Sequence, residues 1–156
     1  MDGYTWTIHA GTITIAQNVD LHVTMNGTTA IPAETLAALA GSNEYMTLSL
    51  DAFSGSFGFE AALTLNVGAA RNGMYGNLYY YNSEGRLEFV DSALIDVNGN
   101  LTLDFTHASD YVIIFSAEDM APAAVKTGDE TPLAGMIILF FAGTLVLGYA
   151  GRRKAR

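Results

Sequence analysis

The chain of 156 residues contains no cysteine, which excludes a disulfide framework and any thiolate metal site. Basic side chains are nearly missing until its last stretch. Residues 1–120 hold only Arg71 and Arg86 against fourteen Asp and Glu, a net charge of −12. Phosphate binding needs a basic surface, so nucleic acid is not expected as a partner. The acidity itself favours solubility. Residues 121–156 reverse the balance, with five basic against two acidic residues, a net +3, and the whole chain carries −9. The N-terminus, Met1-Asp2-Gly3-Tyr4-Thr5-Trp6, has no charged n-region, no apolar h-region and no small-residue cleavage site. No repeat recurs at a period of roughly 20–50 residues. No Gly-x-Ser-x-Gly elbow is present either, so the common nucleophile turn of α/β-hydrolases is excluded.

What is present first is alternation. Tyr4–Ile8 and Thr12–Ile15 alternate apolar residues with threonine, and Val19, Leu21, Val23 and Met25 share one face. Such period-two runs predict half-buried strands. Ile31 to Gly41 breaks the period. Pro near its start, Ala and Leu through its body and Gly at its end predict a short helix. Strands resume at Tyr45–Leu50, then over Phe57–Val67 with alternate residues on one face. Leu78–Tyr81, Arg86–Val90, Ser92–Val97, Leu101–Phe105 and Asp110–Phe115 follow. Asn98-Gly99 between two alternating runs predicts a hairpin, because both residues tolerate positive φ. In the run Tyr79-Tyr80-Tyr81, Tyr80 must face opposite to its neighbours. Regularly spaced short strands predict an all-β domain, a β-sandwich with one short helix, over residues 1–116.

Residues 117–131 lose the β-branched and aromatic character and read as an accessible linker. Residues 132–151, Pro132 to Gly151, form an uncharged apolar run, followed by Arg152, Arg153, Lys154 and Arg156 within the tail 152–156. A helix of ~20 residues rising ~1.5 Å each covers a hydrocarbon core of ~30 Å. The basic cluster resists translocation, so the tail is expected to be cytoplasmic and the domain before it extracellular. Gly143 and Gly148 lack the four-residue spacing of a helix-pairing motif.

Polar motif, apolar span and basic tail, in that order from Ala124 to Arg156, resemble the cell-wall sorting signal of LPxTG-type surface proteins of Gram-positive bacteria. The matching pentapeptide is Ala124-Val125-Lys126-Thr127-Gly128, followed by Asp129. Lys126, Thr127 and Gly128 fit the pattern; the Leu and Pro positions hold Ala124 and Val125. The resemblance implies that sortase cuts between Thr127 and Gly128 and joins the new end to peptidoglycan. Sortase, peptidoglycan and the membrane are therefore the expected partners. A plain membrane anchor is the alternative. A second resemblance involves Leu78–Asn82, Gly85–Val90 and Thr106–Ile113. These stretches are similar to β-rich modules that precede sorting signals in surface proteins of Clostridia-like bacteria, and imply an immunoglobulin-like sandwich used as a stalk or adhesin-type module. An exported anchor without a leader is expected to be the C-terminal part of a longer precursor.

Three groupings invite other chemistry. His107, Ser109 and Asp110 lie within four residues, whereas a hydrolytic triad converges from separate elements. They are expected to shape the turn into the last strand, with Ser109 and Asp110 bonding nearby backbone N–H groups. Asp96, Asn98 and Asn100 look like the start of a calcium loop, but the twelfth position, which should be acidic, is His107. His9, His22 and His107 could ligate a metal only if folding gathered them. Trp6, Phe57, Tyr79, Tyr80 and Tyr81 could form a sugar-binding platform, though aromatic residues at alternate strand positions are more often core. The expectation is a non-enzymatic anchoring and display module with no cofactor. A glycan- or protein-binding adhesin module is the alternative.

Overall fold

The alternating stretches fold into strands wherever a neighbour completes their hydrogen bonds, and not elsewhere. The computed structural model describes residues 3–15, 18–50 and 55–122. Among them are β1 (Tyr4–Ile8), β2 (Thr24–Met25), α1 (Ala33–Ala40), β3 (Tyr45–Ser49), β4 (Gly55–Asn66), β5 (Tyr75–Tyr81), β6 (Leu87–Leu94), β7 (Asn100–Ala108) and β8 (Asp110–Ser116). They form two antiparallel sheets, of order β1-β4-β7 and β2-β3-β8-β5-β6. Leu63, Leu65, Leu101, Leu103 and Phe105 of the first sheet share one core with Leu48, Leu78, Tyr111, Ile113 and Phe115 of the second. Two sheets closing on one core are consistent with the expected β-sandwich. Each fully buried large apolar side chain contributes ~1.5–3 kcal/mol, against ~0–1 for a surface ion pair, so this layer dominates stability.

The five-stranded sheet is covered on both faces. Val112 and Ile114 of β8, with Tyr79 of β5, form a second cluster with Ile31, Leu36 and Ala40 of the α1 region. This explains why Tyr111 to Phe115 is an unbroken apolar run. β7 has one dry face only: Leu101, Leu103 and Phe105 are buried, while Thr102, Asp104 and Thr106 are exposed. Helix α1 follows Pro32, whose φ of −60° suits a helix start. It stops at Gly41, where φ is +57° and the N–H bonds Ala37 O at 3.0 Å.

Four expectations change. Arg86–Val90 and Ser92–Val97 are one strand, β6, which ends at Leu94. Thr12–Ile15 is not a strand; residues Ala10–Thr12 make a 3₁₀ turn. Thr12 Oγ1 donates to His9 O at 2.8 Å and accepts from Glu60 N at 2.9 Å, interrupting a backbone pairing with β4 that His9 N–H to Glu60 O at 3.2 Å and Thr14 N–H to Gly58 O at 2.8 Å continue on either side. Of the run Val19–Met25, only Thr24–Met25 pairs. Its inward face is as expected, because Val19, Leu21, Val23 and Met25 all pack on the main core. Its preceding backbone is met by side chains instead: Trp6 Nε1 donates to Leu21 O at 2.7 Å, and Val23 N to Tyr4 Oη at 3.3 Å. Asn98-Gly99 is a turn but not a hairpin. β6 and β7 belong to different sheets, so the turn is a corner between layers.

Candidate functional site

The candidate sorting pentapeptide Ala124, Val125, Lys126, Thr127 and Gly128, with scission between Thr127 and Gly128, lies outside the described residues, as does the apolar run 132–151. No helix among the described residues is long and apolar enough to cross a membrane. The compact unit that precedes the pentapeptide runs to Ala123.

That unit is fastened at its end by Asn77, a fully buried amide on β5. The two N–H groups of its Nδ2 are shared among Ser116 Oγ at 3.0 Å and the carbonyls of Ile114 and Glu118 at 3.4 and 3.3 Å. Its Oδ1 accepts from Ser92 Oγ at 2.9 Å and from Met120 N at 2.8 Å. Glu118 and Met120 therefore stay on the domain past β8, and Met120 packs on the second cluster. Sequence reading passes over Asn77. The available signal was an amide inside the apolar and aromatic run of β5, since a buried polar group must be paired.

The residues His107, Ser109 and Asp110 separate. Ser109 Oγ donates to Tyr81 O at 3.2 Å. Asp110 accepts the Ala30 N–H at 2.6 Å and the Ser49 hydroxyl. The expected local bonds to nearby N–H groups are thus replaced by long-range ones, which tie β8 to β3 and to the segment before α1. His107 sits near the end of β7, and its ring meets Tyr80 edge-on at 4.5 Å and Tyr111 at 5.7 Å. The turn into β8 is held by its backbone, because Tyr111 Oη donates to His107 O at 2.6 Å. Burial raises the Tyr111 phenol above its ordinary range. The three residues form no nucleophile–base–orienter chain.

His107 Nε2 is buried and has no hydrogen-bond partner among the described residues. Burial holds the imidazole below the ordinary histidine value, with Glu88 opposing. A depressed folded value means that the folded state prefers the neutral ring. The resulting stability is fully present above the unfolded value of ~6.5, and is lost as pH falls from there through the folded value. His107→Phe is expected to flatten that loss, read as urea midpoints from neutral to mildly acidic pH. Equal losses in both proteins would assign the acid sensitivity to other groups.

Asp96, Asn98 and Asn100 stand in the corner between β6 and β7. Asp96 Oδ1 accepts the N–H groups of Asn98 and Asn100, both at 2.8 Å, and Oδ2 accepts Asn100 Nδ2 at 3.1 Å. These bonds lower the Asp96 carboxyl below its usual range, those from Asn100 most. The carboxylate shapes the turn. His9 and His22 are exposed while His107 is half-buried, and among the described residues no three His, Cys, Asp or Glu gather as a metal site.

The aromatic residues are mostly committed to packing. Trp6 meets Phe57 at 6.2 Å and Phe105 at 5.5 Å, both edge-on, and Phe57 stacks on Phe59 at 5.5 Å. Tyr79 and Tyr81 pack on the second cluster and Tyr80 on the main one, so the run splits between faces as its period required. Both basic side chains among the described residues are paired: Arg71 with Glu44 at 2.6 Å and Arg86 with Glu84. Arg71 also lies 4.6 Å from the Phe115 ring centre.

No family model matches the chain, and neither a curated protein nor a solved structure does.

Proposed function

We propose that this chain is the surface-anchoring and display module of a bacterial cell-wall protein, attached by sortase near Thr127-Gly128. The observation that carries the reading is the order of parts after Ala123: Lys126-Thr127-Gly128-Asp129, an uncharged run over 132–151 and a terminal basic cluster. On this reading the run spans the membrane as a helix, the tail is cytoplasmic, and the domain is extracellular and has no catalytic role. The packing of the aromatic residues favours a stalk over a sugar platform. A finer statement of the fold belongs to the same proposal. The connection from β7 to β8 crosses between sheets, and Tyr111 Oη bonds the backbone four residues upstream across it. Immunoglobulin-type sandwiches use such a tyrosine corner, which supports an Ig-like sandwich.

The test is fractionation of a sortase-bearing Gram-positive host that exports the chain. The expected result is covalent recovery with the cell wall, and a shift of Thr127→Ala to the membrane fraction. Wild-type protein that extracts fully with detergent would remove sortase from the account and leave a plain membrane anchor.

A further inference from the structure

Three Asn-Gly pairs occur among the described residues: Asn26-Gly27, Asn72-Gly73 and Asn98-Gly99. This dipeptide is open to a spontaneous reaction in which the glycine amide nitrogen attacks the asparagine side chain. Glycine permits it because no Cβ blocks the approach. What folding decides is which glycine nitrogen is free to attack.

Two of the three are engaged. Gly99 N–H donates to Asp96 O at 3.0 Å, and Gly99 is buried against the backbone of Gly68 and Ala69. Asn98 is held besides, its N–H bonded to Asp96 Oδ1. Gly73 N–H donates to Ile95 O at 3.0 Å, and Asn72 N–H to Ala69 O at 3.1 Å. In both places the nitrogen must leave a hydrogen bond before it can react.

Asn26-Gly27 differs. Both residues are exposed, just after the two-residue edge strand β2. Gly27 N–H has no hydrogen-bond partner among the described residues. Asn26 has a φ of +51°, the one positive value outside glycine among the described residues. That conformation costs an L-residue roughly 1–2 kcal/mol, and asparagine is among the few side chains that adopt it.

We propose that Asn26 is this domain's site of spontaneous deamidation and backbone isomerisation. The Gly27 nitrogen loses its proton to hydroxide and bonds to Asn26 Cγ. The Cγ–N bond of the side-chain amide breaks and ammonia leaves, giving a cyclic imide. Water opens the imide at either carbonyl, to aspartate or to isoaspartate. Either product adds a negative charge. Isoaspartate also routes the main chain through one more methylene, beside the Asn26 N–H that bonds Thr47 O at 2.8 Å. Loss of that bond frays β2, whose Met25 packs on the main core next to the buried Val23.

The experiment ages the full chain, folded in mild detergent, in mildly alkaline buffer. Samples are digested over time and mapped by mass spectrometry, with isoaspartate separated chromatographically. A parallel sample is aged in denaturant. In the folded protein Asn26 is expected to react about tenfold or more faster than Asn72 and Asn98, the factor that ~1.4 kcal/mol of local opening free energy supplies. In denaturant the three rates should converge. Asn72 or Asn98 keeping pace with Asn26 in the folded protein would overturn the proposal. So would an unreacted Asn26 in the folded sample when the denatured sample reacts. Asn26→Gly, which tolerates positive φ, should abolish the product at this position and leave the two slow sites unchanged.

Discussion

Gly99→Ala is expected to lower the unfolding free energy by about 2–5 kcal/mol. Two costs combine. Gly99 has a φ of +81°, and a Cβ there would stand 2.3 Å from Gly68 C and 2.4 Å from Ala69 N. The dihedral alone costs an L-residue ~1–2 kcal/mol, and overpacking a tight site typically adds ~1–3. The obstacle is backbone, so no rotamer change relieves it. The corner must move away from the β4–β5 connection, and the bond from Val67 N–H to Gly99 O, 2.8 Å, moves with it. Urea unfolding of a fragment spanning residues 1–122 measures the loss. A change below ~1 kcal/mol would mean that the two connections separate freely and that the corner is not a packed element.

Asn77→Ala is expected to cost about 2–4 kcal/mol, for a different reason. One side chain serves five partners, and its removal leaves the Ser92 hydroxyl and the Met120 N–H, both partly buried, without this acceptor and the buried end of β8 without this donor. Each orphaned buried group costs ~1–3 kcal/mol, more than the ~1 kcal/mol a hydrogen bond contributes net. The change should also be directional. The Met120 amide loses its acceptor, so residues 117–122 should lift from the sheet. Hydrogen exchange at Met120 should then quicken more than at Ile113 in the centre of β8. Unchanged Met120 protection would show that its packing on the second cluster, and not the amide, holds the segment.

The strands that were legible are those whose own side chains carry the burial pattern. Phe57–Val67, Leu101–Phe105 and Asp110–Phe115 were read within a residue or two at most boundaries, because alternation or a sustained apolar run survives in the sequence. The helix was legible from Pro32 and Gly41. Thr12–Ile15 misled because threonine suits a strand and also bonds its own backbone, and only the position of Glu60 decides between them. Val19–Met25 misled in part: its alternation reported burial faithfully, while its backbone partners, Trp6 and Tyr4, were about fifteen or more residues away. Asp91 shows the limit most sharply. On an unbroken period it would share the face of Phe89 beneath the helix. The register shifts between Leu78 and Tyr79, so that Leu78 faces Asp91 and Tyr79 faces Phe89. The extra residue, Val90, turns Asp91 toward β7, where Oδ2 accepts the Asp104 N–H at 2.9 Å on the open edge.

By itself the sequence determined the β-rich class, the acidic surface, the lack of thiol chemistry and the apolar and basic character of the tail. Each follows from side-chain identity and local period, which folding does not alter. Only the tertiary structure decided which layer each strand joins, that Asn98-Gly99 is a corner, that His107, Ser109 and Asp110 have separate partners, and that Asn77 clasps the end of the domain. It also decided which of three identical Asn-Gly pairs keeps a free nitrogen. These depend on groups far apart in the chain, and a hydrogen bond made across such a separation leaves no period in the sequence to read.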